Sequence, residues 1–208
     1  MNIVFDFGAV LFDWRPALRV RQRLPEWAGD MHQAQTLAQA IFGHADWQAF
    51  DRGLLKLDEV IERTAARLRL PSHRVRELLA PIGDELEPIA AHVAVLQLLF
   101  ERREREGGLR LFFLSNMPEP YARSLELRHA FIGVFDGGVF SGDVKMGKPD
   151  AAIYQHLAAS HGLLALQTWF VDDHLPNVQA ACALGWRGLH LAEGQALGDL
   201  LGPALTRW

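Results

Sequence analysis

The chain has 208 residues, half of them hydrophobic and 22% charged, a composition that sustains a packed core and excludes intrinsic disorder. A formal net charge of −4 and a pI near 6.1 give no general electrostatic pull toward nucleic acid. The single cysteine, Cys182, excludes an internal disulfide framework and a cysteine-based zinc site.

The N-terminus lacks the basic-then-apolar pattern of a secretory signal, and no apolar run approaches the ~18 residues of a membrane span. The expectation is a cytoplasmic protein with neither membrane nor nucleic-acid partners. Val4-Phe5 reads as the end of a short strand, followed by Asp6 and a turn at Gly8. Asp13-Trp14-Arg15-Pro16 breaks the pattern before a helix, Pro16 suiting a first turn. From Ala17 to Leu86 there is no convincing strand. Leu57, Val60, Ile61, Thr64, Ala65 and Leu68 follow helical spacing, and the block reads as a bundle of about four helices. Its aromatics Trp27, Phe42, Trp47 and Phe50 are expected in a core.

From Pro88 the character changes. Ile89, Val93, Leu96 and Phe100 form a helix that ends in the charged run 101–106 and closes at Gly107-Gly108. Leu111 to Leu114 is a continuous apolar run, as expected for a strand buried on both faces. A helix over 119–129, a weak strand over 138–141, a helix over 151–161, the strand Trp169-Phe170-Val171, a helix ending at Gly185 and a strand over 188–191 complete the chain. Cys182 is expected as a small buried residue of that last helix. Strands alternating with helices imply a parallel, Rossmann-like, doubly wound α/β sheet. Residues 1–13 and 87–208 are expected to form this core, and 14–86 a helical cap inserted after the first strand.

Four polar clusters follow expected strands: Asp6, Ser115-Asn116, Lys148 and Asp172-Asp173. Singly they read as a turn carboxylate, loop residues, a surface lysine and a helix cap. In a parallel sheet all four ends lie on one side, so the clusters can meet in one crevice.

This ordered set resembles the haloacid dehalogenase superfamily of hydrolases, in the helical-cap subgroup, over nearly the whole chain. The branch holding sugar-1-phosphate phosphatases and the phosphatase domain of soluble epoxide hydrolases is especially similar. Residues 170–178 and the run from Lys148 to Tyr154 carry that likeness. The resemblance implies a phosphatase of a small phosphorylated metabolite, a sugar phosphate being one candidate. Asp6 is then the nucleophile that forms an aspartyl-phosphate. Mg²⁺ is the implied cofactor, held by Asp6, the backbone carbonyl of Gly8, and Asp173. Ser115 and the Asn116 N–H bind the phosphoryl oxygens, and Lys148 offsets the charge that builds there. Asp172 supports Lys148 or the metal shell, and Asn177 supports the metal's waters.

The chain departs from most phosphatases of the superfamily at Gly8, where they carry an Asp as general acid and base. General acid–base help is typically worth about 10²–10⁴-fold, so its loss matters most for poor leaving groups. His174 could relay a proton. Two other readings stand beside the phosphatase. One is a 2-haloacid dehalogenase with the same Asp6 nucleophile and Arg15 or Arg52 as halide cradle. The other is a catalytically weak binding or regulatory module. Trp14, Phe42, Trp47 and Arg52 are candidate pocket residues; oligomeric state is not readable.

Overall fold

The computed structural model describes residues 1–205, with side chains through residue 202. The last three residues of the expected core segment lie outside the described residues. Strands β1 (Asn2–Phe5), β2 (Arg110–Ser115), β3 (Gly137–Phe140), β4 (Thr168–Asp172) and β5 (Arg187–His190) form one sheet in the order β3-β2-β1-β4-β5. Every neighbouring pair is parallel.

The strands read as unbroken apolar runs because both faces of the sheet are covered. Ile3, Phe5, Leu111, Phe113 and Val171 point into one apolar layer, and Val4, Phe112, Leu114 and Phe170 into the other. That alternation is the two-residue period of a strand. The chain moves outward from β1 through β2 to β3, then returns across the sheet to β4. The strand order therefore reverses beside β1, and a crevice at such a reversal, beyond the carboxyl ends, is where α/β sheets bind ligands.

The outgoing and returning passes of the helical block are tied to each other. The Asp13 N–H donates to the Glu87 carbonyl (2.8 Å) and the Ile89 N–H to that of Leu11 (2.8 Å). Between them lie six helices, Pro16–Arg23, Met31–Phe42, Ala45–Asp51, Leu57–Leu68, Ser72–Leu79 and Ile82–Glu85, rather than about four. The shortest, Ile82–Glu85, spans a single turn, too little for a 3.6-residue repeat to register in the sequence. The helices Ser141–Val144 and Leu197–Leu205 were likewise not anticipated. One continuous apolar layer runs from Phe5 and Phe7 under the sheet edge to Ile41, Trp47 and Phe50 of the block.

Two other expectations need correction. Trp27 is 38% exposed and lies under the Arg74 guanidinium instead of in the core. Cys182 is exposed, although its Sγ lies close to Gly188 of the edge strand β5.

The turn after β1 is built by Phe7. Its carbonyl accepts from the N–H groups of Leu11 and Phe12, both at 2.8 Å. Its fully buried ring packs on Phe113, Phe140 and Phe12, with centroids 4.9, 5.3 and 5.4 Å away. Phe7→Ala is expected to lower stability by about 3–5 kcal/mol, the cost of emptying a large core site. Urea unfolding checks this as a lower midpoint at an unchanged m-value.

Candidate active site

The four clusters do converge. Asp6, Gly8, Ser115, Asn116, Lys148 and Asp173 all line one cavity of about 790 Å³ between the strand ends and the helical block, within the size range of small-molecule sites. Asp6 follows β1 directly, and its N–H continues the sheet by donating to the Val171 carbonyl (2.9 Å). Its Oδ1 accepts from the Phe7 N–H (2.7 Å), which fixes the rotamer of the carboxylate.

Lys148 is the charge centre. Its Nζ lies 2.9 Å from Asp6 Oδ1 and 2.6 Å from Asp172 Oδ2, with a side chain only 1% exposed. A buried ammonium needs such partners to persist as a charge. Burial pulls its pKa down, but Asp172 and Asp6 together outweigh that and raise it, so the lysine stays protonated. Asn116 clasps the backbone of the same residue. Its Nδ2 donates to the Lys148 carbonyl (3.0 Å) and its Oδ1 accepts from the Lys148 N–H (2.8 Å).

Asp172 is saturated. Besides Lys148 it accepts from the His174 N–H (2.8 Å) and from the Asn177 amide (3.0 and 3.1 Å). It therefore works as the anchor of Lys148, and the Asn177 amide is committed to Asp172. His174 lines the cavity. Of the two arginines considered as a halide cradle, Arg52 lines the cavity and Arg15 does not; Arg15 is solvent-facing and paired with Asp13.

Asp6, Asp172 and Asp173 offer oxygens within 4.8 Å of one another. Burial, helped by the charge of Asp172, outweighs Lys148 and a hydrogen bond from Ser115, so Asp6 is raised to about 6. Partial burial and the charges of Asp6 and Asp172 lift Asp173 to about 7. Three carboxylates thus share one ammonium, an arrangement short of positive charge.

Gly8 is not imposed by packing. A Cβ there would meet only Trp14, at 3.7 Å, an ordinary contact. Trp14, Phe42 and Trp47 form an aromatic wall across the cavity, with Trp14 and Trp47 stacked at 6.5 Å and Phe42 edge-on to both. One cavity carboxylate escaped the sequence reading altogether: Asp51, the last residue of the helix Ala45–Asp51. No local pattern marks it, because its place in the cavity depends on how the block folds back.

Lys148→Met is expected to destabilise the protein in a pH-dependent way. Without the ammonium, the folded-state pKa of Asp6 rises further above its unfolded value. A carboxyl with a raised folded pKa favours folding when protonated and opposes it as pH climbs. The deficit against wild type should therefore be small near pH 4 and grow on going above about pH 6, as read from thermal melts across pH. A deficit independent of pH would contradict the charge assignment.

No family model matches the chain. The sesquiterpene phosphatase astK of Aspergillus oryzae is 30% identical to it over 194 residues, which cover 93% of this chain and 90% of that protein. The drimenol cyclase drtB of Aspergillus calidoustus is 28% identical over 188 residues, 90% of this chain but 33% of the cyclase, so the chain spans about a third of that relative. Among solved structures, a HAD family enzyme from Bacteroides thetaiotaomicron in complex with magnesium and inorganic phosphate superposes with a TM-score of 0.70 at 18% identity. The match covers 96% of this chain and 98% of that one. The L-2-haloacid dehalogenase of Xanthobacter autotrophicus gives 0.67 at 18% identity over 99% of this chain and 82% of that one. At such identities the solved structures establish the fold, and the astK match over nearly the full length establishes the kinship: the chain belongs to the haloacid dehalogenase-like hydrolases.

Proposed function

We propose that the protein is a Mg²⁺-dependent phosphatase of a small phosphorylated metabolite, with residues 14–86 acting as the cap over its active site. The observation that carries this reading is the Asp6 carboxylate, held at a strand end 2.9 Å from a buried lysine and facing a cavity of metabolite size. Asp6 attacks phosphorus, the bond to the leaving oxygen breaks, and water later hydrolyses the aspartyl-phosphate. Lys148 balances the charge on Asp6 and on the phosphoryl group as it transfers. Ser115 and the Asn116 N–H donate to the phosphoryl oxygens, while the Asn116 side chain keeps the Lys148 backbone in place.

The donor set suits a hard divalent cation. It consists of oxygens, and it carries more negative charge than Lys148 offsets. Asp6, Asp173 and the Gly8 carbonyl would hold it; Asp172 is committed to Lys148 and Asn177. Mg²⁺ bound there supplies the positive charge that lets an anionic substrate approach an anionic nucleophile. For the dehalogenase alternative, only Arg52 of the two halide-cradle candidates reaches the cavity.

The aromatic wall favours a substrate with an apolar organic part, and the sesquiterpene phosphatase relative points the same way. A terpenyl-type alcohol phosphate therefore ranks ahead of a sugar phosphate. Its kcat/KM should exceed that for glucose 1-phosphate in a phosphate-release assay; the reverse order would restore the sugar reading.

Hydrolysis of an aryl phosphate should stop on adding EDTA, return with Mg²⁺, and be abolished in Asp6→Asn. Release of halide from 2-chloropropionate without metal would instead support a dehalogenase. Metal binding requires ionised carboxylates, and Asp6 near 6 and Asp173 near 7 are partly protonated in mildly acidic solution. Mg²⁺ should then expel protons at pH 6 and bind more tightly as pH rises toward about 8, as calorimetry in two buffers measures. An affinity that does not change with pH would contradict the assigned ligands.

A further inference from the structure

The phosphatase reading leaves one chemical requirement unmet. When the phosphorus–oxygen bond of an alkyl phosphate breaks, the leaving oxygen needs a proton, and Gly8 has none to give. Displacement in line with Asp6 places that oxygen on the far side of phosphorus, toward the helical block. With Gly8 in the core loop unable to donate, the block supplies the cavity-lining carboxyl on that side.

We propose that Asp51 is this general acid, and the general base for the water that follows. It lines the same cavity as Asp6 and Lys148, half-buried at the end of its helix. It stands outside the acidic cluster of Asp6, Asp172 and Asp173. The block carries it, yet its position is fixed against the core. The Ser141 hydroxyl donates to the Asp51 carbonyl while accepting from the Met117 N–H (2.8 Å). Two residues on, Gly53 has a φ of +65°, and a Cβ there would fall 2.5 Å from the Gly142 carbonyl oxygen, so the two backbones touch. The Trp47 indole N–H, one turn back on the helix, holds the carboxyl.

The charges around Asp51 keep it a proton donor. Burial raises its pKa well above the carboxylate range, and the negative charge of Asp6 adds to this. Trp47, Arg52 and Lys148 pull the other way, and Arg52 is itself shared with Asp150 at 3.6 Å. Tyr121, packed beside it, stays a neutral phenol because burial and Asp51 both push its pKa up.

The protons balance over the cycle. In the first half the Asp6 oxygen bonds to phosphorus, the leaving oxygen departs with the electron pair, and Asp51 gives it a proton, releasing a neutral alcohol. In the second half water attacks phosphorus, its proton passes to Asp51, and Asp6 leaves as the carboxylate. Asp51 is again an acid, and inorganic phosphate is released.

The test is the leaving-group dependence of Asp51→Asn, which keeps an acceptor for Trp47 but carries no transferable proton. With an alkyl phosphate, kcat/KM should fall by about 10²-fold or more. With 4-nitrophenyl phosphate, whose leaving group needs little protonation, it should fall by less than about tenfold. The alkaline fall in the wild-type pH profile for the alkyl ester should vanish, and Asp51→Glu should recover part of the rate. Equal losses on both esters, or none on either, would overturn the assignment while leaving the phosphatase intact. A wild-type protein that hydrolyses neither ester in Mg²⁺ would overturn the phosphatase reading and this inference with it.

Discussion

A lysine ammonium buried between two carboxylates is the constraint around which this molecule is arranged. Lys148 reaches Asp6 at 2.9 Å and Asp172 at 2.6 Å from a position almost sealed from solvent. Removing Lys148 would leave buried carboxylates without a counter-charge in a low-dielectric site, so the ammonium and its two partners are held together. The fold does this from three strands. β1 delivers Asp6, β4 ends in Asp172, and Asn116, just past β2, grips the Lys148 backbone with two hydrogen bonds. Asp172 is steadied in turn by the Asn177 amide and the His174 N–H. Parallel strands put all of these at the same edge, and the reversal of strand order beside β1 leaves room for a ligand there.

The helical block completes the site without adding to that triad. Its contribution to the cavity is a wall of stacked and edge-on aromatic rings and one half-buried carboxyl. Close backbone packing of Gly53 on Gly142 and the bond from the Tyr121 hydroxyl to the Leu79 carbonyl (2.7 Å) seat the block on the core. The buried ion pairs are thus concentrated at the sheet, and the aromatic surface of the cavity in the insertion.

Much of the sheet side was legible in the sequence, because strands covered on both faces must be apolar throughout, and the residues just beyond them are free to be polar. Asp6, Ser115 and Asp172 stood out for that reason, whereas Lys148 comes only after the helix Ser141–Val144 that follows β3. Side-chain destinations were harder to read. Asn177 looks like a ligand-binding amide, yet its side chain braces Asp172, and the Asn116 side chain, for which the sequence suggests no role, braces Lys148. Cys182 and Trp27 looked like core by composition, but helix orientation decides which face is covered, and both are exposed. Asp51 left no trace at all, since nothing local links residue 51 to residue 6. Only the folding back of the block brings them to one cavity.

The central claim is that Asp6 bonds to phosphorus, and it can be tested at that atom. Turnover of a phosphate ester in Mg²⁺, quenched in acid and reduced with borohydride, should convert the phosphorylated aspartate at position 6 to homoserine, located by peptide mass spectrometry. Active turnover that leaves Asp6 unmodified under rapid quench, with the reduced residue absent or at another position, would contradict the account.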